Sequence, residues 1–273
     1  SNLKVDYENS IGVGLFGTVY PSVQIRNLIL DATCSIRGKD RVGLIGRSSS
    51  AGVIKLDCLG NEGSVEATYQ AAAGILGNAN NGSIAYITNC YSTGHIKAGS
   101  GKNAAQICGW LGKVGARIIN CWSTSLIEGY DSQSLLFCRF NSNTTLNNCF
   151  STDGDGTQVV RKADYEFASG EITWELNGKS TEKPVWFQKL GTDLVPVLFA
   201  DHGIVVEKDG TFTNMGGDAI ENVEATLGET ASVYDVQGRL VRPAMPVSQA
   251  LQGLPEGMYI LRGASVSRKV LVK

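Results

Sequence analysis

Ile87-Thr88-Asn89-Cys90-Tyr91-Ser92-Thr93-Gly94 is the stretch on which the reading of this chain turns, because it recurs. Its counterparts are Ile118-Ile119-Asn120-Cys121-Trp122-Ser123-Thr124 and Leu146-Asn147-Asn148-Cys149-Phe150-Ser151-Thr152, with Leu56-Asp57-Cys58-Leu59 and Asn27-Leu28-Ile29 as looser copies. A second element precedes four of the five copies and has the form Gly-apolar-apolar-Gly. It is found at Gly14-Leu15-Phe16-Gly17, Gly43-Leu44-Ile45-Gly46, Gly74-Ile75-Leu76-Gly77 and Gly109-Trp110-Leu111-Gly112. A spacing of about 30 residues lies within the range of solenoid repeats. Each unit holds short apolar runs separated by Gly, Asn and Ser, which is the pattern of strands and turns.

The expected fold is therefore all-β: a parallel β-solenoid (β-helix) of about five coils over residues 1–156, a small capping segment over 157–202 and a C-terminal β-sandwich over 203–273. Stacked coils place equivalent residues above one another at about 4.8 Å. Three columns follow. One contains Leu28, Cys58, Cys90, Cys121 and Cys149; the next Asn27, Asp57, Asn89, Asn120 and Asn148; the third Ile29, Leu59, Tyr91, Trp122 and Phe150. Leu28 shares the Cys column, and Cys packs as a small hydrophobe, so an inward, reduced ladder is expected there, although bridges between neighbouring coils are geometrically conceivable. The Asn column reads as a turn ladder, since short amides tolerate left-handed backbone. Strand alternation turns Tyr91, Trp122 and Phe150 outward. They are the candidate ligand-binding residues, as a platform for a sugar or a protein, unless a neighbouring loop or domain covers them.

The 273 residues contain 33 Gly, 6 Pro, 7 Cys and 2 His, with a formal net charge of −2. That balance, without any Lys/Arg cluster, argues against a nucleic-acid partner. The longest strongly apolar stretch, 194–200, is interrupted by Pro196 and is far short of the roughly 20 residues that span a bilayer, so no membrane-spanning segment is expected. An odd number of cysteines precludes complete intrachain pairing, and none has CxxC spacing.

Catalysis has little to work with. Residues 68–127 contain no Asp or Glu, leaving Asp57, Glu62, Glu66, Glu128 and Asp131 at the edges of the two best-formed coils. Hydrolysis or elimination on a polysaccharide needs positioned carboxylates or calcium ligands. Lys97, Lys102, Lys113 and Arg117 in this window read as a solvated face. Asp153-Gly154-Asp155-Gly156 lacks the remaining ligands of a calcium loop and reads as a turn. His95 reads as a surface side chain and His202 as a turn residue. No GxSxG, HExxH or P-loop string occurs. We therefore expect no catalytic residues, no metal and no cofactor.

In the second half, Ile172 and Leu176 form an apolar i, i+4 pair within 163–178, consistent with one short helix after a Ser169 cap. Val185-Trp186-Phe187-Gln188 and Val195-Pro196-Val197-Leu198 read as short strands closing the array, with Trp174 and Trp186 in the core of the cap. Apolar runs at 233–236, 239–241, 257–262 and 269–273 read as strands of the sandwich.

The unit from Gly74-Ile75-Leu76-Gly77 through Gly82-Ser83-Ile84 to Asn89-Cys90-Tyr91-Ser92-Thr93-Gly94 resembles the GLUG-type repeat of bacterial surface proteins, a β-solenoid module of adhesins and of some large secreted peptidases. Ser1-Asn2-Leu3 looks like the end of an earlier repeat, so the chain is expected to be a fragment. Val233-Tyr234-Asp235-Val236-Gln237-Gly238-Arg239-Leu240-Val241, Leu251-Gln252-Gly253-Leu254-Pro255-Glu256-Gly257-Met258-Tyr259-Ile260 and Lys269-Val270-Leu271-Val272-Lys273 are similar to sorting domains of the type IX secretion system. These resemblances imply a secreted or outer-membrane surface protein that meets export machinery through its C-terminal domain. They also imply a non-enzymatic adhesion or binding module for a glycan or a host or cell-surface protein. A polysaccharide-acting enzyme or its carbohydrate-binding accessory is the alternative, and a structural stalk the second.

Overall fold

The computed structural model describes residues 1–20, 22–79, 82–130, 136–139, 142–154, 159–215, 230–235, 237–255, 257–263 and 267–272. It is mostly β, and its parallel sheets form a β-solenoid of about four turns. Contacts divide the chain into two units, 1–212 and 213–273, a division ten residues beyond the boundary expected at 203.

Three parallel sheets make the walls of the solenoid. The first contains β1 (Lys4–Val13), β4 (Ser35–Val42), β7 (Ser64–Ala72), β11 (Ile96–Ala98) and β15 (Ile127–Glu128). The second contains β2 (Phe16–Val19), β5 (Ile45–Ser48), β8 (Leu76–Ala79) and β12 (Cys108–Leu111). The third begins with β3 (Val23–Leu30) and β6 (Gly52–Asn61), then splits into paired segments. Those segments are β9 (Ser83–Thr88) with β10 (Tyr91–Ser92), β13 (Ala116–Ile119) with β14 (Trp122–Ser123), and β16 (Thr145–Asn147) with β17 (Phe150–Ser151). β18 (Val160–Arg161) continues the pairing past β17. Each full coil takes one strand from every wall, and apolar residues stack inside. Val5, Ile36, Val65, Ile96 and Ile127 form one such row, and Ile25, Leu56, Ile87, Ile118 and Leu146 another. Both rows belong to one continuous core. Stacked β-branched side chains fill a pleated wall well, which is why Val and Ile recur in them.

Glycine is needed where coils touch backbone to backbone. In register, Gly17, Gly46, Gly77 and Gly109 lie over one another, and a Cβ on Gly46 would stand 2.3 Å from the carbonyl oxygen of Gly17. The equivalent of the earlier Gly-apolar-apolar-Gly corners in the fourth copy is therefore Gln106-Ile107-Cys108-Gly109, three residues before the expected 109–112. The reason lies inside the coil. Gln106 is fully buried; its Oε1 accepts from Ser151 Oγ at 2.7 Å and its Nε2 donates to the Ser125 carbonyl at 3.3 Å. A long amide thus satisfies a buried hydroxyl and a buried backbone carbonyl.

The Asn column is also shifted by one residue in its second member. Asn27, Cys58, Asn89, Asn120 and Asn148 have φ of 57°, 53°, 51°, 53° and 52°. Pairing of Leu28 with Leu59, and of Ile29 with Gly60 and then Tyr91, puts Leu59 in the Cys column and Gly60 in the aromatic column. Cys58 is thus not a core thiol, Asp57 is not a turn residue, and Leu59 is not in the aromatic row. Gly60 fixes this register, because a Cβ there would lie 2.4 Å from the Tyr91 ring.

Beyond β18 come α1 (Asp164–Ala168) and α2 (Glu171–Leu176), two short helices where one was expected. Gly170, at φ 93°, breaks the helical path between them. Ile172 and Leu176 are buried as the i, i+4 pattern requires. The two expected closing strands reduce to one antiparallel bridge, Phe187 with Val197. A 3-10 turn at Ala200–His202 leads to the hairpin of β19 (Val205–Lys208) and β20 (Thr211–Asn214), turned by Asp209-Gly210, both at positive φ.

In the second unit, β21 (Thr230–Asp235), β22 (Leu240–Pro246), β23 (Gly257–Arg262) and β24 (Ser267–Val272) form one antiparallel sheet in the order β22-β21-β23-β24. α3 (Val247–Ala250) follows β22, and Ala231, Val233, Val247, Ala250 and Leu261 form the small core of this unit.

An L-residue without a short polar side chain costs about 1–2 kcal/mol in left-handed backbone, whereas Asn tolerates it. Cys58→Asn should therefore stabilise the protein by about 0.5–1 kcal/mol. Urea denaturation at fixed m-value checks this, and a lower midpoint would contradict the assignment of Cys58 to the turn ladder.

Candidate functional site

Outside the third sheet the rings of Tyr91, Trp122 and Phe150 stand in one in-register row. Tyr91 and Trp122 are stacked with centroids 5.0 Å apart and planes 9° apart. They do point outward from the solenoid, but they are not open to solvent: their exposures are 1%, 0% and 5%. Phe167, Ile172, Leu176 and Trp186 close over them as a second apolar cluster. Trp186 meets Tyr91 edge-on at 6.1 Å and Trp122 at 6.2 Å. Such tilted ring contacts add about 0.5–1.5 kcal/mol to what burial alone supplies. The expected ligand platform is thus corrected to the floor of the cap, for a plain reason: three stacked rings are a large apolar surface, and the chain covers it with its own helices.

The polar groups at this junction are arranged to suit. Tyr91 donates its hydroxyl to Glu62 Oε1 at 2.7 Å; burial, then the Glu62 hydrogen bond, push the phenol well above its ordinary range. Beside the rings, the side chains of the turn column form a chain of amide hydrogen bonds. Asn148 Nδ2 donates to Asn120 Oδ1 at 2.9 Å, Asn120 Nδ2 to Asn89 Oδ1 at 3.4 Å, and Asn89 Nδ2 to Asp57 Oδ1 at 3.0 Å. Asn148 Nδ2 also donates to the Glu175 carbonyl in α2, tying the ladder to the cap. Asp57 stands in for the amide that Cys58 lacks.

None of the seven cysteines is in a disulfide. Cys90, Cys121 and Cys149 form the inward column, and the Cys90 amide donates to Cys121 Sγ at 3.3 Å. Burial raises the thiols of Cys121 and Cys149 well above the ordinary range, as it does that of Cys108. Cys58, half-buried, is pushed up to about 11 by burial and then by the charge of Asp57. A nucleophilic thiol needs the opposite shift, toward the thiolate.

The remaining candidates are distributed around the solenoid. Glu66 and Glu128 sit on the outer side of the first sheet, in a row the sequence reading missed. In register, that row is Asp6, Arg37, Glu66, Lys97 and Glu128, alternating in sign on five stacked strands. Arg37 lies 3.8 Å from Asp6, 2.6 Å from Glu8 and 3.3 Å from Glu66, and Lys97 lies 3.3 Å from Glu128. Hydrogen bonding to Lys97, then its charge, holds the Glu128 carboxyl below its usual range. His95 joins Glu128 at 2.9 Å, and His202 is bound through Nδ1 to Asp193 at 2.7 Å. Arg117 belongs to a different wall, on the outer side of β13, and donates to the Asn143 carbonyl at 2.6 Å. Asp131, Asp155 and Gly156 lie outside the described residues. Among the described residues, no group of three or more His, Cys, Asp or Glu is placed to hold a metal ion.

Trp186→Ala should cost about 3–5 kcal/mol, because it empties the centre of the cap cluster. Loss of near-ultraviolet dichroism together with a lower unfolding midpoint checks this. A change under about 0.5 kcal/mol, the range of an ordinary surface substitution, would contradict it.

Set against known families, curated proteins and solved structures, the chain shows no match to a family model, to a curated protein or to a solved structure.

Proposed function

We propose that this chain is a non-enzymatic binding module, secreted or displayed at an outer-membrane surface, that presents a rigid repetitive face to a glycan or a surface protein. With Tyr91, Trp122 and Phe150 under the cap, the reading rests on another row of the third sheet. Gln24, Lys55, Tyr86, Arg117 and Thr145 are in register on its outer side. Tyr86 is 39% exposed, an aromatic ring with a cation on the strand at either side. A ring offers stacking to the face of a sugar, and the flanking donors bond to its hydroxyls or carboxylates. Several weak contacts along one inflexible wall add through effective concentration.

A stalk is the second reading. It is favoured by the first sheet, whose outer charges are largely engaged with one another, and by the cap's use of the aromatic row. In the finer architecture we take the repeats as five coils and the C-terminal unit as a β-sandwich of the sorting type, through which export machinery recognises the chain. What supports this is that the segments carrying the resemblance fall on the strands of one antiparallel sheet, β21 to β24.

Two experiments test these readings. On a glycan array the protein should bind a restricted set of glycans, and Tyr86→Ala should weaken binding about tenfold, the worth of one ring stack. Unchanged binding by the variant removes Tyr86 from the site, turnover of a polysaccharide overturns the non-enzymatic reading, and absence of any binding to glycans or cells leaves the stalk. Separately, removing residues 213–273 in a host with type IX export should reduce surface display to background. Equal display of the shortened chain would refute the sorting role.

A further inference from the structure

The cap that buries the aromatic row leaves an open groove of about 430 Å³ on its own surface, lined by Thr124, Asp164, Tyr165, Phe167, Leu194 and Val195. Its lining comes from the end of β14, from α1 and from the loop after Asp193. Phe167 is the buried part of the lining and leans on Trp122 with centroids 5.6 Å apart. Tyr165 and Leu194 are the two exposed apolar side chains of the groove, each 74% open to solvent. The volume lies within the range of small-molecule sites, roughly 300–1,000 Å³.

Both segments that expose these side chains are held by buried or paired groups. Lys162 Nζ bridges Glu166 at 2.9 Å and Glu171 at 2.6 Å, which ties α1 to α2, and the Ala163 amide donates to Glu166 Oε2 at 2.7 Å. On the other side, Asp193 Oδ2 accepts from the Lys189 amide at 2.6 Å and meets His202 Nδ1 at 2.7 Å. Gln188 joins the two sides. Its side chain is fully buried, and Nε2 donates to the Phe167 carbonyl at 2.8 Å and to the Asp193 carbonyl at 3.2 Å. One amide thus fixes the separation of α1 from the loop that carries Leu194, so the two exposed side chains stand at a set distance before any ligand arrives. A site organised in advance loses less freedom on binding.

The polar groups of the groove select the ligand. Lys162 is taken up by Glu166 and Glu171, and among the described residues Asp164 has no ion pair. The hydroxyls of Tyr165 and Thr124 likewise have no partner among the described residues. An open ring, an aliphatic side chain across from it, a carboxylate and two hydroxyls match an uncharged sugar, which has an apolar C–H face and several hydroxyl donors. The unbalanced Asp164 disfavours an anionic ligand. None of the lining residues lies in a strand, so an extended peptide finds no ladder to join. We propose that this groove is a second subsite of the module, which takes one uncharged sugar residue between Tyr165 and Leu194, with its hydroxyls donating to Asp164 and Thr124. The inference rests on the glycan-binding reading and adds to it a site separate from the Tyr86 row.

The probes are the methyl glycosides of glucose, galactose, mannose and N-acetylglucosamine, with methyl glucuronide as the anionic control, titrated into the full chain and followed by saturation-transfer NMR. At least one neutral glycoside should saturate below about 10 mM. Tyr165→Ala should weaken it about tenfold at an unchanged unfolding midpoint, since the ring is exposed, and Tyr86→Ala should leave it unaltered. The glucuronide should bind more weakly than the glucoside, and Asp164→Asn should remove that difference. Equal affinity in Tyr165→Ala, or tighter binding of Nα-acetyl-lysine amide than of every sugar, would overturn the proposal, the latter in favour of a protein ligand. Sugar binding that Tyr86→Ala removes and Tyr165→Ala does not would overturn the subsite while leaving the glycan reading intact. Absence of saturation by any neutral glycoside up to about 10 mM would also overturn it, and the glycan array then decides separately whether the wider reading survives.

Discussion

One left-handed residue per coil determines which way the third wall faces. Along Ile87 to Ser92, Ile87 is inward and Thr88 outward; Asn89, at φ 51°, adds one residue to the path; then Cys90 is inward, Tyr91 outward and Ser92 inward. Were Asn89 an ordinary extended strand residue, the alternation would run on unbroken, Cys90 would face out and Tyr91 would enter the core. One residue outside the strand conformation has this effect because the side-chain period is two. Repeated at Asn120 and Asn148, it produces two ladders from one motif, a thiol ladder inside and an aromatic ladder outside. Cap, amide chain and buried serines all depend on it.

The periodicity, the walls and the Asn and Cys ladders of the better-formed coils were legible in the sequence, because inward positions tolerate few residue types and repeat faithfully. The errors have a common cause. At Cys58 the residue type matched the thiol column, but the register is set by Gly60, whose missing side chain admits the Tyr91 ring. At 109–112 two glycines imitate the corner, while the true corner begins with Gln106, whose amide satisfies a buried hydroxyl and a buried carbonyl. In each case the deciding quantity was space or hydrogen bonding between coils, which one strand's sequence does not carry. The charge row escaped for a different reason: its residues alternate in sign, so a search for like residues at fixed spacing passes over it. Once the apolar columns set the register, it can be read directly.

The aromatic row shows how outward direction and accessibility separate. Strand alternation assigned Tyr91, Trp122 and Phe150 to the outer side correctly, but alternation contains no term for what the chain does afterwards. The i, i+4 pair Ile172 and Leu176 was the sequence signal for a cover, and Trp186 was its centre. Stacked rings and a partly apolar helix pair have more to gain from each other than from water, since burying each ring removes 150–250 Å² from solvent.

The outer faces of the first and third walls therefore differ in kind. On the first, neighbouring charges of opposite sign satisfy one another along the stack, so the face offers a passing ligand little unbalanced charge. On the third, Lys55 and Arg117 flank an uncharged ring instead of a carboxylate. Their charge is directed outward, where a partner can meet it. Steering of a charged ligand scales with such unbalanced charge and weakens with salt, whereas ring stacking does not. A wall combining the two can attract at long range and discriminate at contact. That division follows from register alone, because sliding one strand by a single residue would exchange the inner and outer sets and remove both rows together.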